Sequence, residues 1–198
     1  NETIQLGGDN IVDSKAGNIN IKNSGNIVTT GITSPLIMAQ SIGGGGGYTT
    51  LNNELAKADN TQTLQMGNNG SLRARSGSIT LNNSGNLYSK GASSSAIVAQ
   101  TIGAGGGNVR RLDQDELASN LQLGSSATGN GSGGDITVSN TGSFITTEGD
   151  YARAMLIQSI GGGGGWLAGS TAEDTTVQLG SLSPYGTVKG GNIDVINR

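Results

Sequence analysis

Residues 17–27 read GNINIKNSGNI, and this pattern returns three times further along the chain. It reappears as GSITLNNSGNL at 77–87, as GDITVSNTGSF at 134–144 and, shortened, as GNIDVINR at 191–198. The steps between copies are 60, 57 and 57 residues. Because a fixed period of this length is the signature of stacked supersecondary units, we predict a repeat architecture.

The alternation within each copy predicts a half-buried strand. Ile19 and Ile21 alternate with polar residues, and the later copies keep apolar residues at both places. Each strand is expected to end at an asparagine, followed in three copies by Ser-Gly or Thr-Gly, which is turn chemistry. These asparagines are Asn23, Asn83, Asn140 and Asn197. Short β-branched strands joined by tight corners favour a coiled, all-β chain.

Two further blocks recur in the same order. A short Gln-Leu-Gly-like block, IQLG in its first copy, begins at 4, 64, 121 and 177. A longer block combines a strand with a glycine run: IMAQSIGGGGG at 37–47, IVAQTIGAGGG at 97–107 and MLIQSIGGGGG at 155–165. Its strand has apolar residues on both faces, so we expect the segment after the glycines to cover its outer face. Its glutamines, Gln40, Gln100 and Gln158, would form either an amide ladder or a solvent-facing column.

These features predict a right-handed parallel β-helix (β-solenoid) built from repeats of 57–60 residues. We expect one continuous solenoid over 1–198, with repeats at about 1–60, 61–119 and 120–175 and a partial repeat at 176–198. A coil made of a whole repeat would be unusually large, so we expect about two coils per repeat. The expected sites of a loop or an extra strand are 48–63, 108–120 and 166–176.

The composition excludes several classes of function. Hydrophobic residues make up 33% of the chain and aromatic residues 3%, which is little material for a globular core. The chain has no cysteine and no histidine, which excludes disulfides, thiolate metal sites and the commonest general base. Its 11 basic residues are spread along a chain of net charge -3, so neither nucleic acid nor an anionic membrane is an expected partner. No membrane span is visible, and a start at Asn1 leads us to expect a piece of a longer protein.

The glycine runs are the first candidate site. We expect them to permit close backbone approach between coils; the alternative, a phosphate-cradling loop, would need a helix after the run. They comprise Gly43, Gly44, Gly45, Gly46 and Gly47, then Gly103, Gly105, Gly106 and Gly107, then Gly161, Gly162, Gly163, Gly164 and Gly165.

Acidic residues give no catalytic pattern. The cluster Asp113, Asp115 and Glu116 and the motif GGDN at 7–10 would suit calcium, but a solvated loop is the favoured interpretation. Along the first strand of each repeat the outward position holds Asn20, Thr80, Thr137 and Asp194, and only one of these ionises. Glu148 and Asp150 are expected to flank a turn. We predict no catalytic residue, no metal and no cofactor.

Side chains that differ between copies are the better candidates for binding. Tyr48, Arg110, Arg111 and Trp166 each come just after a glycine run. Aromatic and arginine side chains anchor many interfaces, although the same residues would also cap a coil edge locally.

The blocks AQSIGGGGG, AQTIGAGGG and IQSIGGGGG, preceded by an IxVxNSGxIxTxG-like pattern, resemble the passenger repeats of large autotransporter adhesins of Gram-negative bacteria. The resemblance implies a passenger displayed on the outer membrane, extracellular, with its C-terminal β-barrel outside this sequence. It implies partners such as a host or neighbouring-cell surface, glycans or other copies of the protein.

Three functions are therefore open. The first is a structural and adhesive stalk that acts in adhesion, aggregation or biofilm formation. The second is a self-assembling filament subunit of an extracellular matrix. The third is a carbohydrate-active β-helix enzyme, which would need carboxylates or basic groups to converge on one sheet.

Overall fold

The computed structural model describes residues 3–7, 13–51, 63–67, 72–111, 120–124, 129–141, 144–168, 177–180 and 188–198. All regular structure in these ranges is β, and the described residues contain no helix. Their strands form six separate sheets. The expectation of an all-β chain is confirmed.

The six sheets are numbered in the order in which the chain first enters them. Sheet I contains β1 (Thr3–Leu6), β7 (Thr63–Met66), β13 (Asn120–Leu123) and β19 (Val177–Leu179). Sheet II contains β2 (Asp13–Lys15), β8 (Leu72–Arg75) and β14 (Gly129–Ser132). Sheet III contains β3 (Ile19–Asn23), β9 (Ile79–Asn83), β15 (Ile136–Asn140) and β20 (Ile193–Asn197).

The other three sheets have three described strands each. Sheet IV contains β4 (Ile27–Thr29), β10 (Leu87–Ser89) and β16 (Ile145–Thr147). Sheet V contains β5 (Ile37–Ile42), β11 (Ile97–Ile102) and β17 (Met155–Ile160). Sheet VI contains β6 (Gly46–Leu51), β12 (Gly106–Arg111) and β18 (Gly164–Ala168).

Every strand pairs in parallel with its counterpart in the neighbouring repeat. We call a coil the stretch of chain between two successive strands of one sheet. Ile19 of β3 lies opposite Ile79 of β9, and Ile97 of β11 lies opposite Met155 of β17. One repeat therefore makes one coil, and the expectation of two coils per repeat is wrong. The parallel, stacked sheets are compatible with a β-solenoid.

A coil of 57–60 residues encloses two separate hydrophobic cores, which together fill its interior. The first core lies between sheets III, IV and V, where Ile79, Leu81, Leu87 and Ala99 are buried. It is built from the period-two strands in the way the alternation predicts, since one parity of each strand points inward.

The second core lies between sheets I and VI. Leu64, Met66, Val109, Leu121 and Leu123 pack there. Sheet V lies between the first core and sheet VI, since Ala99 packs in the first core and Gln100 donates to Asn108 of sheet VI, which explains why its middle strand β11 is buried along its whole length. The strands that follow the glycine runs cover its outer side, as the sequence predicted.

Candidate functional site

The glycine runs lie where the chain passes from sheet V into sheet VI. Gly45, Gly46 and Gly47 have φ values of 87°, 122° and 150°. The glycines at the same places in the other runs also have positive φ, a backbone region that residues with a Cβ rarely adopt. These glycines are Gly105, Gly106, Gly107, Gly163, Gly164 and Gly165.

Successive runs approach one another more closely than a side chain would permit. A Cβ on Gly106 would lie 1.8 Å from the carbonyl oxygen of Gly164. The backbones are bonded at this point, since the Gly106 nitrogen donates to the Gly45 oxygen at 3.1 Å and the Gly164 nitrogen donates to the Gly105 oxygen at 3.0 Å. Residues 48–51 continue as strand β6, so the helix that a phosphate-cradling loop would need does not form there.

The glutamines of sheet V form a continuous amide ladder. Gln40 Nε2 donates to Gln100 Oε1 at 2.8 Å, and Gln100 Nε2 donates to Gln158 Oε1 at 2.6 Å. Gln100 Nε2 also donates to Asn108 Oδ1 of sheet VI at 2.8 Å, and the Gln100 side chain is fully buried. Of the two interpretations left open by the sequence, the ladder is confirmed.

The asparagines that end the strands of sheet III form a second ladder. Asn23 Nδ2 donates to Asn83 Oδ1 at 2.7 Å, and the same bond continues from Asn83 to Asn140 and from Asn140 to Asn197. Asn83 Nδ2 also donates to the Gly85 oxygen at 2.7 Å, within the turn that the sequence predicted after this strand. The axial bonds were missed, although the same residue in all four copies was the signal for them.

The varied side chains meet at the connection between sheets IV and V. We call residues 26–36, 86–96 and 144–154 the turn edge. Each of its three turns holds one residue other than glycine in the left-handed region: Thr33 at 56°, Ser93 at 58° and Tyr151 at 57°. The same conformation in three unlike residues shows that the turn, and not the side chain, determines the backbone here.

Two of the predicted contact residues extend from sheet VI to this edge. Tyr48 Oη donates to the Thr33 oxygen at 3.3 Å, and Arg110 Nη1 donates to the Ser93 oxygen. Arg110 is 7% exposed, and its Nε is buried without a hydrogen-bond partner among the described residues. Burial lowers the pKa of Arg110, Tyr48 opposes this effect, and the charge of Arg153 lowers the pKa further. The guanidinium is therefore held in an environment that disfavours its charge.

Trp166 reaches the same edge through a cation–π contact. The guanidinium carbon of Arg153 lies 4.2 Å from the centroid of the Trp166 ring. Arg153 Nη1 also lies 3.5 Å from the Tyr151 oxygen, which it can bond only weakly. Arg111 ends strand β12, and its side chain is outside the part of the chain that the structure describes. Sequence reasoning singled out Trp166 but missed Arg153, which no repeated motif marks.

The turn edge carries large exposed side chains. Phe144 is 79% exposed and Tyr151 is 82% exposed. Tyr88 Oη donates to Glu148 Oε1, and this bond raises the pKa of Tyr88. The Lys90 ammonium lies 5.2 Å from the centroid of the Tyr88 ring. Every aromatic residue that the structure describes therefore lies on the turn edge or contacts it.

Among the residues that the structure describes, the acidic side chains do not come together at one place. Thr80 lies opposite Asn20 and Thr137, and Thr137 lies opposite Asp194, so the outward column has one carboxylate. No group of three or more His, Cys, Asp or Glu side chains suited to a metal occurs in the described ranges. The cluster at 113–116 and residues 8–10 lie outside those ranges.

The class that the fold defines is an all-β protein of stacked parallel sheets, compatible with a β-solenoid. Comparison of the chain with protein-family models, with curated proteins and with solved structures found no match. None of the described residues forms a helix that is long and apolar enough to cross a membrane.

Proposed function

We propose that the chain is a non-catalytic structural and adhesive stalk segment of a bacterial surface or secreted protein. The observation that carries this proposal is that each repeat bonds to its own copies: the strands, both amide ladders and the glycine backbones all pair in register along one axis. Stacking of this kind can be extended by duplication, because each coil contacts only its neighbours. With about 4.8 Å of rise for each coil, many repeats make a long and thin body.

We also propose that the solenoid is right-handed and continuous over 1–198. Crossover connections between parallel strands are right-handed in about 98% of cases. The pairing offset supports a unit of 57–60 residues, since Gln40 lies opposite Gln100 and Ile79 lies opposite Ile136.

The adhesive part of the proposal is supported by where the repeats differ. The columns inside the coils repeat the same residue types, whereas the turn edge presents Phe144 and Tyr151 at places that are polar in the other two copies. Another of its places holds Val28, Tyr88 and Thr146 in turn. In this role the chain stands outside a Gram-negative cell, as its resemblance to autotransporter passengers implies. Its partners are a neighbouring or host cell surface, glycans or other copies.

A coil insertion tests the stalk. Asn120 lies opposite Thr63, so a second copy of residues 63–119 placed before Asn120 adds one complete coil in register. We expect the longest dimension from small-angle scattering to grow by about 4.8 Å and the melting temperature to be no lower than that of the parent. The matched control carries Ala at Gly103, Gly105, Gly106 and Gly107 of the inserted copy, and it should melt earlier. An inserted coil that stays unfolded would contradict the proposal.

A bead assay tests adhesion. Beads coated with the chain should bind to bacterial cells or to one another more than beads coated with an unrelated protein of similar charge. Coated beads that do neither would refute the adhesive role. Release of reducing ends from polysaccharides by the chain would instead support the carbohydrate-active enzyme.

A further inference from the structure

Sheet II gathers basic residues that lie far apart in the sequence. Lys15 belongs to the first repeat, Arg73 and Arg75 belong to the second, and Lys189 belongs to the partial fourth. Lys15 lies opposite Arg75, which lies opposite Ser132 on its other side. Ser132 is bridged in turn to Lys189. With about 4.8 Å between coils, these positions form one column along the axis, and three of its four residues are basic. We call Lys15, Arg73, Arg75 and Lys189 the basic face.

The basic face points away from the interior because of the alternation along strand β8. Ala74 is fully buried, so its neighbours Arg73 and Arg75 point to the other side of sheet II, where both are exposed. Strand β8 pairs with β2 on one side and with β14 on the other. The exposure of the two arginines is therefore a property of an inner strand and not of an end of the stack.

The charge of the basic face is not balanced by the acidic side chains that the structure describes. Asp13 lies opposite Arg73 and is also exposed. Among the described residues, neither Asp13 nor any of the four cations forms an ion pair or a side-chain hydrogen bond. Four cations and one carboxylate leave a formal charge of 4 − 1 = +3 on this face, although the whole chain has a net charge of -3. A local excess of positive charge of this kind attracts anions.

The arrangement of the cations favours a linear polymer with three-oxygen anions. The column runs along the axis, as a chain laid on the solenoid would. The described aromatic residues lie on or contact the turn edge, so the base stacking that holds a single-stranded nucleic acid is not provided on sheet II. Arg73 and Arg75 are about 6.8 Å apart along the strand, so one sulfate group can accept hydrogen bonds from both, whereas the two oxygens of a carboxylate match a single guanidinium.

We propose that the basic face of sheet II binds a sulfated polysaccharide that lies along the axis of the stack. Arg73 and Arg75 bind one sulfate together by charge-assisted hydrogen bonds, and Lys15 and Lys189 bind sulfates further along the same chain. This inference rests on the proposed adhesive function and names the class of glycan that the chain binds.

Asp13 provides a test of opposite sign. Its carboxylate lies beside Arg73 and repels a bound sulfate, so Asp13→Asn should tighten binding, an effect that a damaged fold would not produce. The matched control for the two arginines is the double variant Lys22→Gln with Lys90→Gln. It removes the same charge from exposed positions on sheet III and at the end of sheet IV.

The experiment is a calorimetric titration of the 198-residue chain with heparin at low salt. The double variant Arg73→Gln with Arg75→Gln should bind about tenfold more weakly than the parent. Asp13→Asn should bind about twofold more tightly, and the lysine control should stay within about twofold of the parent. Desulfated heparin, which keeps the carboxylates, should bind at least about tenfold more weakly than heparin. All variants should melt with the parent, because the substituted side chains are exposed.

Four results would overturn the inference. Equal losses for the arginine and lysine double variants would mean that only net charge matters. Equal binding of heparin and desulfated heparin would make the ligand a carboxylated glycan, and equal binding of duplex DNA would make it any polyanion. Absence of binding to heparin would remove the ligand class. If coated beads still adhere to cells in these cases, the adhesive function stands without this site, whereas failure of the beads alone would refute the function.

Discussion

Gly47 and Gly107 occupy equivalent positions in successive coils, and substituting each one allows the cost of backbone strain to be measured apart from the cost of disturbed coil stacking. Gly47 and Gly107 have nearly the same backbone, with φ of 150° and 140°. A Cβ on Gly47 would meet no atom within 4 Å, whereas a Cβ on Gly107 would lie 1.8 Å from the Gly47 oxygen. Alanine at either position therefore costs the strain, but only Gly107→Ala also forces two coils apart.

The difference in stability between the two variants can be estimated from the distance between the added Cβ and the neighbouring coil. Ordinary contact begins at 3.4 Å, so the strands must separate by about 3.4 − 1.8 = 1.6 Å at Gly107. The neighbouring bond from Gly106 to Gly45 is already 3.1 Å long, and two or three such bonds would break at about 1 kcal/mol each. The strain costs about 1–3 kcal/mol. We expect a loss of about 3–6 kcal/mol for Gly107→Ala and about 1–3 kcal/mol for Gly47→Ala.

Urea unfolding followed by circular dichroism measures both losses against the parent chain. Gly107→Ala should lower the free energy of unfolding by at least about 2 kcal/mol more than Gly47→Ala. Equal losses would show that strain alone explains the glycines. A larger loss for Gly47→Ala would refute the stacking argument.

Three other substitutions give independent checks. Gln100→Leu should destabilise the chain by about 3 kcal/mol in thermal unfolding, because Gln100 is fully buried and its loss removes the hydrogen bonds that join it to Gln40, Gln158 and Asn108; no loss would contradict the ladder. Ala104→Gly removes a fully buried methyl group and adds backbone freedom, so it should cost about 1.5 kcal/mol in urea unfolding. Glu148→Gln should lower the pKa of Tyr88 in an alkaline absorbance titration, because the hydrogen bond to the Glu148 carboxylate raises that pKa. The Tyr88–Glu148 bond is present below the raised pKa and is lost as the pH rises through it. An unchanged titration would exclude this bond.

The strands and their register could be predicted because the repeat itself encodes them. Where Ile19, Ile79 and Ile136 align in the sequence, they also stack in the structure. In a stack of copies the pairing partner of a residue is its own equivalent, so aligning the repeats is the same as assigning the register. The amide ladder of Gln100 follows from this rule once the column is known to be buried.

The size of the coil and the composition of the turn edge could not be predicted in this way. The second core joins Val109 of sheet VI to Leu64 and Leu121 of sheet I, and no periodicity marks contacts between different sheets. The contact of Arg153 with Trp166 occurs once in the chain, so aligning the repeats cannot reveal it. Features that occur in one copy only need the three-dimensional path of the chain.

This contrast indicates where a solenoid of this kind can acquire a binding function. A residue in an interior column must match the same residue one coil above and below, so a change at Gln100 or Asn83 disrupts two neighbours at once. The left-handed position of the turn edge has no such partner requirement, because the turn keeps its backbone with Thr33, Ser93 or Tyr151 in place. Side chains that occur in one copy only, such as Tyr151 and Arg153, can therefore enter one coil of the edge without disturbing the stack.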